Sequence, residues 1–164
     1  MGDVNITDIA SSLSKQCRYG GHCRGFYSVA EHSVLVYQMA KAEGHSKTIQ
    51  RACLMHDATE AIVSDMPKPV KVLCPEFNDI EARIYRVIAT QFGLPIREPH
   101  MVKHYDLTAL EHEMYKLFPH IEGERLGTPE ENGLNPAYLN MIVGLDYKAA
   151  SHLFIGAARD LGLV

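Results

Sequence analysis

His32, the adjacent pair His56-Asp57, and Asp106 are the residues of this 164-residue chain whose types could hold a metal ion in otherwise apolar surroundings. Two imidazoles and two carboxylates make a donor set suited to a divalent transition metal, with Co, Mn, Zn, Fe or Ni all compatible. On an octahedral ion that set leaves two positions for water and substrate, the openness of a catalytic site. Each residue alone has a plainer reading. His32 lies between Val29 and Val36 on an apolar stripe and reads as a core histidine with its hydrogen bonds met. Asp106 interrupts the stripe Val102, Leu110, Met114, Leu117 and reads as half of an ion pair with Arg83 or Lys103. Together they point to one centre, because a buried group of this kind is costly without a partner.

The middle of the pattern is the densest: Leu54-Met55-His56-Asp57-Ala58-Thr59-Glu60-Ala61, continuing to Asp65-Met66-Pro67-Lys68-Pro69-Val70-Lys71. On a helix His56 and Asp57 point about 100° apart round the axis. Glu60, four residues after His56, then shares its face. Asp65 follows where Pro67 and Pro69 stop the helix.

Helices must carry these residues. Thr7 or Asp8 can cap a first helix to about residue 15. Residues 17–25 follow as a loop, where Gly20 and Gly21 permit positive φ. Ser28 and Glu31 form a capping box for a second helix that ends near Gly44. Ser46 caps a central helix to about residue 63, with Ile49, Ala52, Cys53, Met55 and Ala58 inward. Pro75 opens a fourth helix that stops at Gly93, with Phe77, Ile80, Ile84, Val87 and Ile88 as its core face. Pro99 opens a fifth to about residue 118, and Asp146 or Tyr147 begins the last, to about residue 161. Residues 121–135 read as a loop or lid, and the acidic Glu122, Glu124, Glu130 and Glu131 as its solvated face. The pattern predicts an all-α bundle of five to six helices, a single domain over residues 1–164.

A net charge of −4 argues against a nucleic-acid polymer as partner. No apolar run is long enough for a membrane, and the start lacks the basic-then-apolar order of a signal peptide. Cys17, Cys23, Cys53 and Cys74 show no Cys-x-x-Cys spacing and read as free thiols of a cytoplasmic protein. His100 and His104, four residues apart, read as surface histidines.

The order His … His-Asp … Asp on successive helices resembles the HD-domain metal-dependent phosphohydrolases. The closer resemblance is to the HD-domain 5′-deoxynucleotidases, carried by Arg18-Tyr19, Glu31-His32-Ser33, His56 to Glu60, Asp65 to Lys71, and Val102-Lys103 before Asp106. The small phage dATP triphosphohydrolases are similar over the same core, and the likeness covers roughly residues 6–113. It implies His32, His56, Asp57 and Asp106 as ligands of one divalent ion and Arg18 as a phosphate contact. It makes Glu60 the group that orients or deprotonates the attacking water, and Asp65 a sugar-hydroxyl or water contact. Lys68 and Lys71 join Arg18 as candidate phosphate contacts. The deoxynucleotidases carry tryptophan where this chain has Tyr19, so the sugar pocket is expected to be roomier. The expected activity is phosphate release from (deoxy)nucleoside 5′-monophosphates by a homo-oligomer. The alternatives are a dNTP triphosphohydrolase and, in another class, a noncatalytic HD-fold nucleotide sensor.

Overall fold

The computed structural model describes residues 4–118 and 127–164, with nine α-helices and no named strand among them. α1 (Ile6–Leu13) leads through a short 3-10 turn (Arg18–Gly21) to α2 (Val29–Ala42) and α3 (Lys47–Leu54). The single turns α4 (Glu60–Val63) and α5 (Lys68–Lys71) precede α6 (Pro75–Phe92), α7 (His100–Leu117), α8 (Pro136–Met141) and α9 (Tyr147–Asp160). The chain is all-α, as its lack of alternating apolar patterning implies. Six helices have eight residues or more, the five to six that periodicity can see; α4, α5 and α8 are too short to show a period.

α2 is the axis of the core. Its residues are buried nearly all round, from Val29 through Tyr37 and on to Ala40, so it must be surrounded. α3, α7, α8 and α9 pack against it. The Ser28 hydroxyl accepts from the Glu31 N–H at 3.2 Å and caps it. The Glu31 carboxylate reaches across the bundle and accepts from the N–H groups of Gly144 and Leu145, each at 3.0 Å, which fixes the approach to α9. Glycine is required at 144: φ is +78°, and a Cβ would lie 2.7 Å from the Phe26 carbonyl oxygen.

Several expectations change. The cap of α1 is Asn5, whose Oδ1 accepts from the Asp8 N–H at 2.8 Å, not Thr7 or Asp8. The central helix expected to reach residue 63 ends at Leu54. Beyond it the N–H groups of Ala58, Glu60, Ala61 and Ile62 bond the carbonyl three residues back. The His56 ring takes the Cys53 carbonyl at 2.8 Å, the acceptor a regular helix would give to the Asp57 N–H. Periodicity could not register this, because the apolar pattern runs on through the break.

α6 begins at Pro75 and stops at Gly93 (φ +62°) as expected, but buries only Ile84 and Ile88 of its predicted core face. Ile80 and Val87 are 44% and 45% exposed, since α6 lies at the edge of the bundle beside α5. On α7 Met114 is exposed, and the inward side is Val102, Tyr105, Ala109, His112, Glu113 and Leu117. Residues 121–126 of the expected lid, with Glu122 and Glu124, lie outside the described residues; the segment from 127 ends at α8, capped by Asn135. All four cysteines are free. No helix among the described residues is long and apolar enough to cross a membrane.

Candidate metal centre

Three atoms converge where α2 faces the turns after α3. His32 Nε2 lies 3.2 Å from His56 Nε2 and 3.6 Å from Asp57 Oδ2, and the last two are 3.2 Å apart. Donors about 2.1 Å from one ion are about 3.0 Å apart at right angles and about 3.4 Å apart at the tetrahedral angle. Two of the three spacings fall in that range and the third, at 3.6 Å, lies just above it, and the group could hold a metal ion. Asp106, from α7, meets the group at His32, its Oδ1 3.3 Å from Nε2, while its other oxygen accepts from Lys103 at 2.6 Å. It stands outside the tight group of three. The ion pair with Lys103 is thus present on one oxygen, and the other faces His32.

The chemistry of the donors is the sharper test of fit. His56 Nδ1–H donates to the Cys53 carbonyl, and His32 Nδ1–H donates to Glu113 Oε1 at 2.7 Å. A carbonyl or a carboxylate only accepts, so each Nδ1 carries a proton and each neutral ring turns the Nε2 lone pair inward. Two such pairs and the Asp57 oxygen cannot face one another without a positive charge among them. Burial alone pulls the His56 pKa down, but Asp57 and Asp106 outweigh it, and it rises to about 9. Burial likewise pushes Asp57 and Asp106 up, and the histidines, with Arg18 beside Asp57, more than offset it, so both carboxyls fall well below their usual range. In the metal-free protein the proton of His56 supplies the missing charge; a cation would replace it.

Glu113 is the functional candidate that sequence reasoning passed over. It is fully buried on α7, nearly two turns beyond Asp106. Its Oε1 receives His32; its Oε2 accepts from the Tyr19 hydroxyl at 2.5 Å and from Arg18 Nε at 3.1 Å, with Arg18 Nη2 also 3.1 Å away. Burial alone would raise its pKa, yet His32, Arg18 and Tyr19 lower it to about 2, so it stays ionised. The signal was in the sequence: a glutamate sits between Val102, Ala109 and Leu117 on the inward face. The expected stripe shares Val102 and Leu117 with that face but takes Met114, which is exposed, in place of Glu113.

Arg18 and Tyr19 reach this network from a strained turn. Tyr19 has φ +58°, uncommon for a residue with a Cβ. The turn is pinned by the Arg18 N–H on the Tyr27 carbonyl (2.9 Å) and by the Val29 N–H on the Gln16 carbonyl (3.0 Å). Arg18 Nη1 stands 3.8 Å from Asp57, at the edge of the cluster. The Tyr19 ring packs edge-on against Phe118. Burial and the Glu113 charge keep its hydroxyl protonated.

Beside the cluster a cleft of about 390 Å³ is lined by His56, Asp57, Glu60, Lys71, Tyr85 and Glu98, among others. Glu60 opens α4, which α1 holds in place: the Gln16 amide donates to the Glu60 carbonyl at 2.9 Å and the Ser12 hydroxyl to the Ala61 carbonyl at 3.0 Å. With three residues per turn, position i+4 falls about 120° round from His56, so Glu60 does not share the His56 face, though both side chains line the cleft. Burial, then the charges of Asp57 and Asp65, push the Glu60 pKa up to about 8. Asp65 is exposed. Lys71 pairs with Glu81 at 2.5 Å. The Lys68 side chain lies outside the described part of the structure. Glu98, unnoticed in the sequence, faces the same charges, and burial raises its pKa. His100 and His104 are exposed and belong to no ligand group among the described residues.

No protein-family model matches the chain. It is 44% identical over 111 residues to the uncharacterized protein YfdR of Escherichia coli (strain K12), an alignment covering 68% of this chain and 60% of that protein's length. It is 34% identical over 140 residues to the uncharacterized protein RCAP_rcc00048 of Rhodobacter capsulatus, covering 78% of this chain and 71% of the other.

Proposed function

The chain belongs to the same family as RCAP_rcc00048 of Rhodobacter capsulatus, and we propose that it is a divalent-metal-dependent phosphohydrolase of the HD-domain kind, acting on nucleoside 5′-monophosphates. The observation that carries the proposal is the convergence of two Nε2 lone pairs and the Asp57 carboxylate beside an open cleft. His32, His56 and Asp57 would hold the ion, with Asp106, whose Oδ1 lies 3.3 Å from His32 Nε2, as the candidate fourth ligand. A divalent ion bound there supplies Lewis-acid charge and acidifies water.

The chain's own groups divide the remaining work. Arg18 offers Nη1 to a phosphate oxygen at the cluster's edge, while Glu113 holds the rest of its guanidinium. Glu60 takes a proton from the attacking water as the bond between phosphorus and the 5′ oxygen breaks, and returns it to that oxygen. Its raised pKa places it near the neutral range that proton transfer needs. Tyr85 and Ile96 line the cleft on the side left for the nucleoside.

The cleft favours a monophosphate over the triphosphate of the rival reading. Among the described side chains its cations are Lys71 and, at the edge, Arg18, both already paired with carboxylates. Asp57, Glu60, Glu81 and Glu98 add negative charge. A noncatalytic sensor has no need of Glu60 in the cleft.

A panel of nucleoside mono-, di- and triphosphates under Mn²⁺, Co²⁺ and Mg²⁺ tests the reading. Orthophosphate from the monophosphates is expected. Release of triphosphate would favour the rival hydrolase, and binding without turnover would favour the sensor.

A further inference from the structure

One carboxylate touches both halves of the candidate site. Glu113 Oε1 accepts from His32, whose other nitrogen faces the cation position. Glu113 Oε2 accepts from Arg18, whose Nη1 faces Asp57 at 3.8 Å, and from Tyr19. The group is wholly enclosed, so no water competes for either oxygen.

We propose that Glu113 is a positioning residue that couples cation binding to anion binding, by holding His32 in its inward-facing tautomer and Arg18 at the edge of the cation cluster. The proposal rests on the metal-dependent reading above. Remove the carboxylate and the His32 ring loses the acceptor that fixes its proton on Nδ1; the same removal frees the buried Arg18 guanidinium to turn onto Asp57. Asp57 would then be drawn toward Arg18 and away from the cation. Both effects act on binding before any chemistry. A purely structural carboxylate, present only to neutralise Arg18, would leave the His32 ring and the cation untouched. Partners of this kind to a metal-binding histidine typically contribute about 10–100-fold in metal affinity.

Glu113→Gln keeps the shape and removes the charge. The full chain, wild type and variant, is titrated with Co²⁺ against a competing chelator, and with inorganic phosphate in the Co²⁺-loaded form. The visible absorption of bound Co²⁺ reports the ligand geometry. The expected result is a fall of about 10–100-fold in Co²⁺ affinity, a parallel loss of phosphate affinity, and a changed Co²⁺ spectrum. Glu113→Asp, which keeps the charge, should recover part of both. Co²⁺ affinity and spectrum unchanged in Glu113→Gln, or loss of only one of the two affinities, would overturn the coupling while leaving the hydrolase reading standing. If the variant does not fold, Glu113→Asp decides alone: both affinities must shift together. A wild-type protein that binds no Co²⁺ would overturn both.

Discussion

The two walls of the cleft are built in different ways. On the inner wall and in the cluster just behind it the reactive nitrogens are aimed by buried partners: His56 by the Cys53 carbonyl, His32 and Arg18 by Glu113. The outer wall, α5 and α6, is tied by the Lys71–Glu81 pair and by the Tyr85 hydroxyl on the Pro95 carbonyl, and leaves apolar side chains in water. The difference teaches where accuracy is needed. Atoms that must share one ion tolerate errors well under an ångström, and only locked side chains achieve that. A wall that meets the rest of a ligand can be less tightly packed.

The largest effect should come from the inner wall. Asp57→Ala removes the one carboxylate that touches both imidazole nitrogens. Cation affinity should fall further than the roughly 100-fold that marks the loss of a ligand's supporting partner. Metal analysis and chelator competition measure this. Full occupancy in Asp57→Ala would mean that the inner wall is an ion-pair network and not a cation site.

The same contrast explains what the sequence could reveal. The long helices, the caps at Ser28 and Ser46 and the stop at Gly93 were readable. Caps and stops are local chemistry, and periodicity registers any helix long enough to repeat. The break after Leu54 was invisible, because it comes from a side chain, His56, competing for a backbone carbonyl. His32, His56 and Asp57 stood out as polar residues in apolar company. Glu113 did not, because choosing Met114 for the buried stripe turned the α7 face by one residue. Glu98 sits between helices, where no period applies.

The next effect separates the walls by pH. His56 rises from 6.5 to about 9, so the folded metal-free protein keeps a proton that the unfolded chain releases. That contribution is complete below about pH 6.5 and lost as pH climbs through 9. Glu60, raised from 4.5 to about 8, also binds its proton more tightly when folded, so it lowers stability in the same direction as pH climbs toward 8. Thermal unfolding in a chelator should therefore show Tm falling from pH 6.5 to 9. Saturating Co²⁺ should shrink that fall, because the cation replaces the His56 proton. Glu60→Gln should make the slope below pH 8 shallower, leaving the share that His56 contributes. A Tm that climbs through this window without metal would contradict the charge balance assigned to the inner wall.

The smallest effect belongs to the outer wall, and it tests whether α6 is as loosely held as its exposure suggests. Ile88 is fully buried and Ile80, two turns earlier on the same helix, is 44% exposed. Ile88→Ala leaves a cavity among α6's few core contacts, and such changes cost about 2–5 kcal/mol. Ile80→Ser alters a side chain that solvent already reaches, and substitutions away from buried features stay within about 0.5 kcal/mol of neutral. Denaturant unfolding of the two variants gives both numbers on one scale. The near-zero result is the informative one. If Ile80→Ser costs as much as Ile88→Ala, the α6 face is covered in solution, and the outer wall is then packed as firmly as the inner one. Repeating the measurement over a range of protein concentrations identifies the cover: a cost that grows with concentration means a second copy of this chain, and a cost independent of it means a rearrangement of α6 on its own bundle.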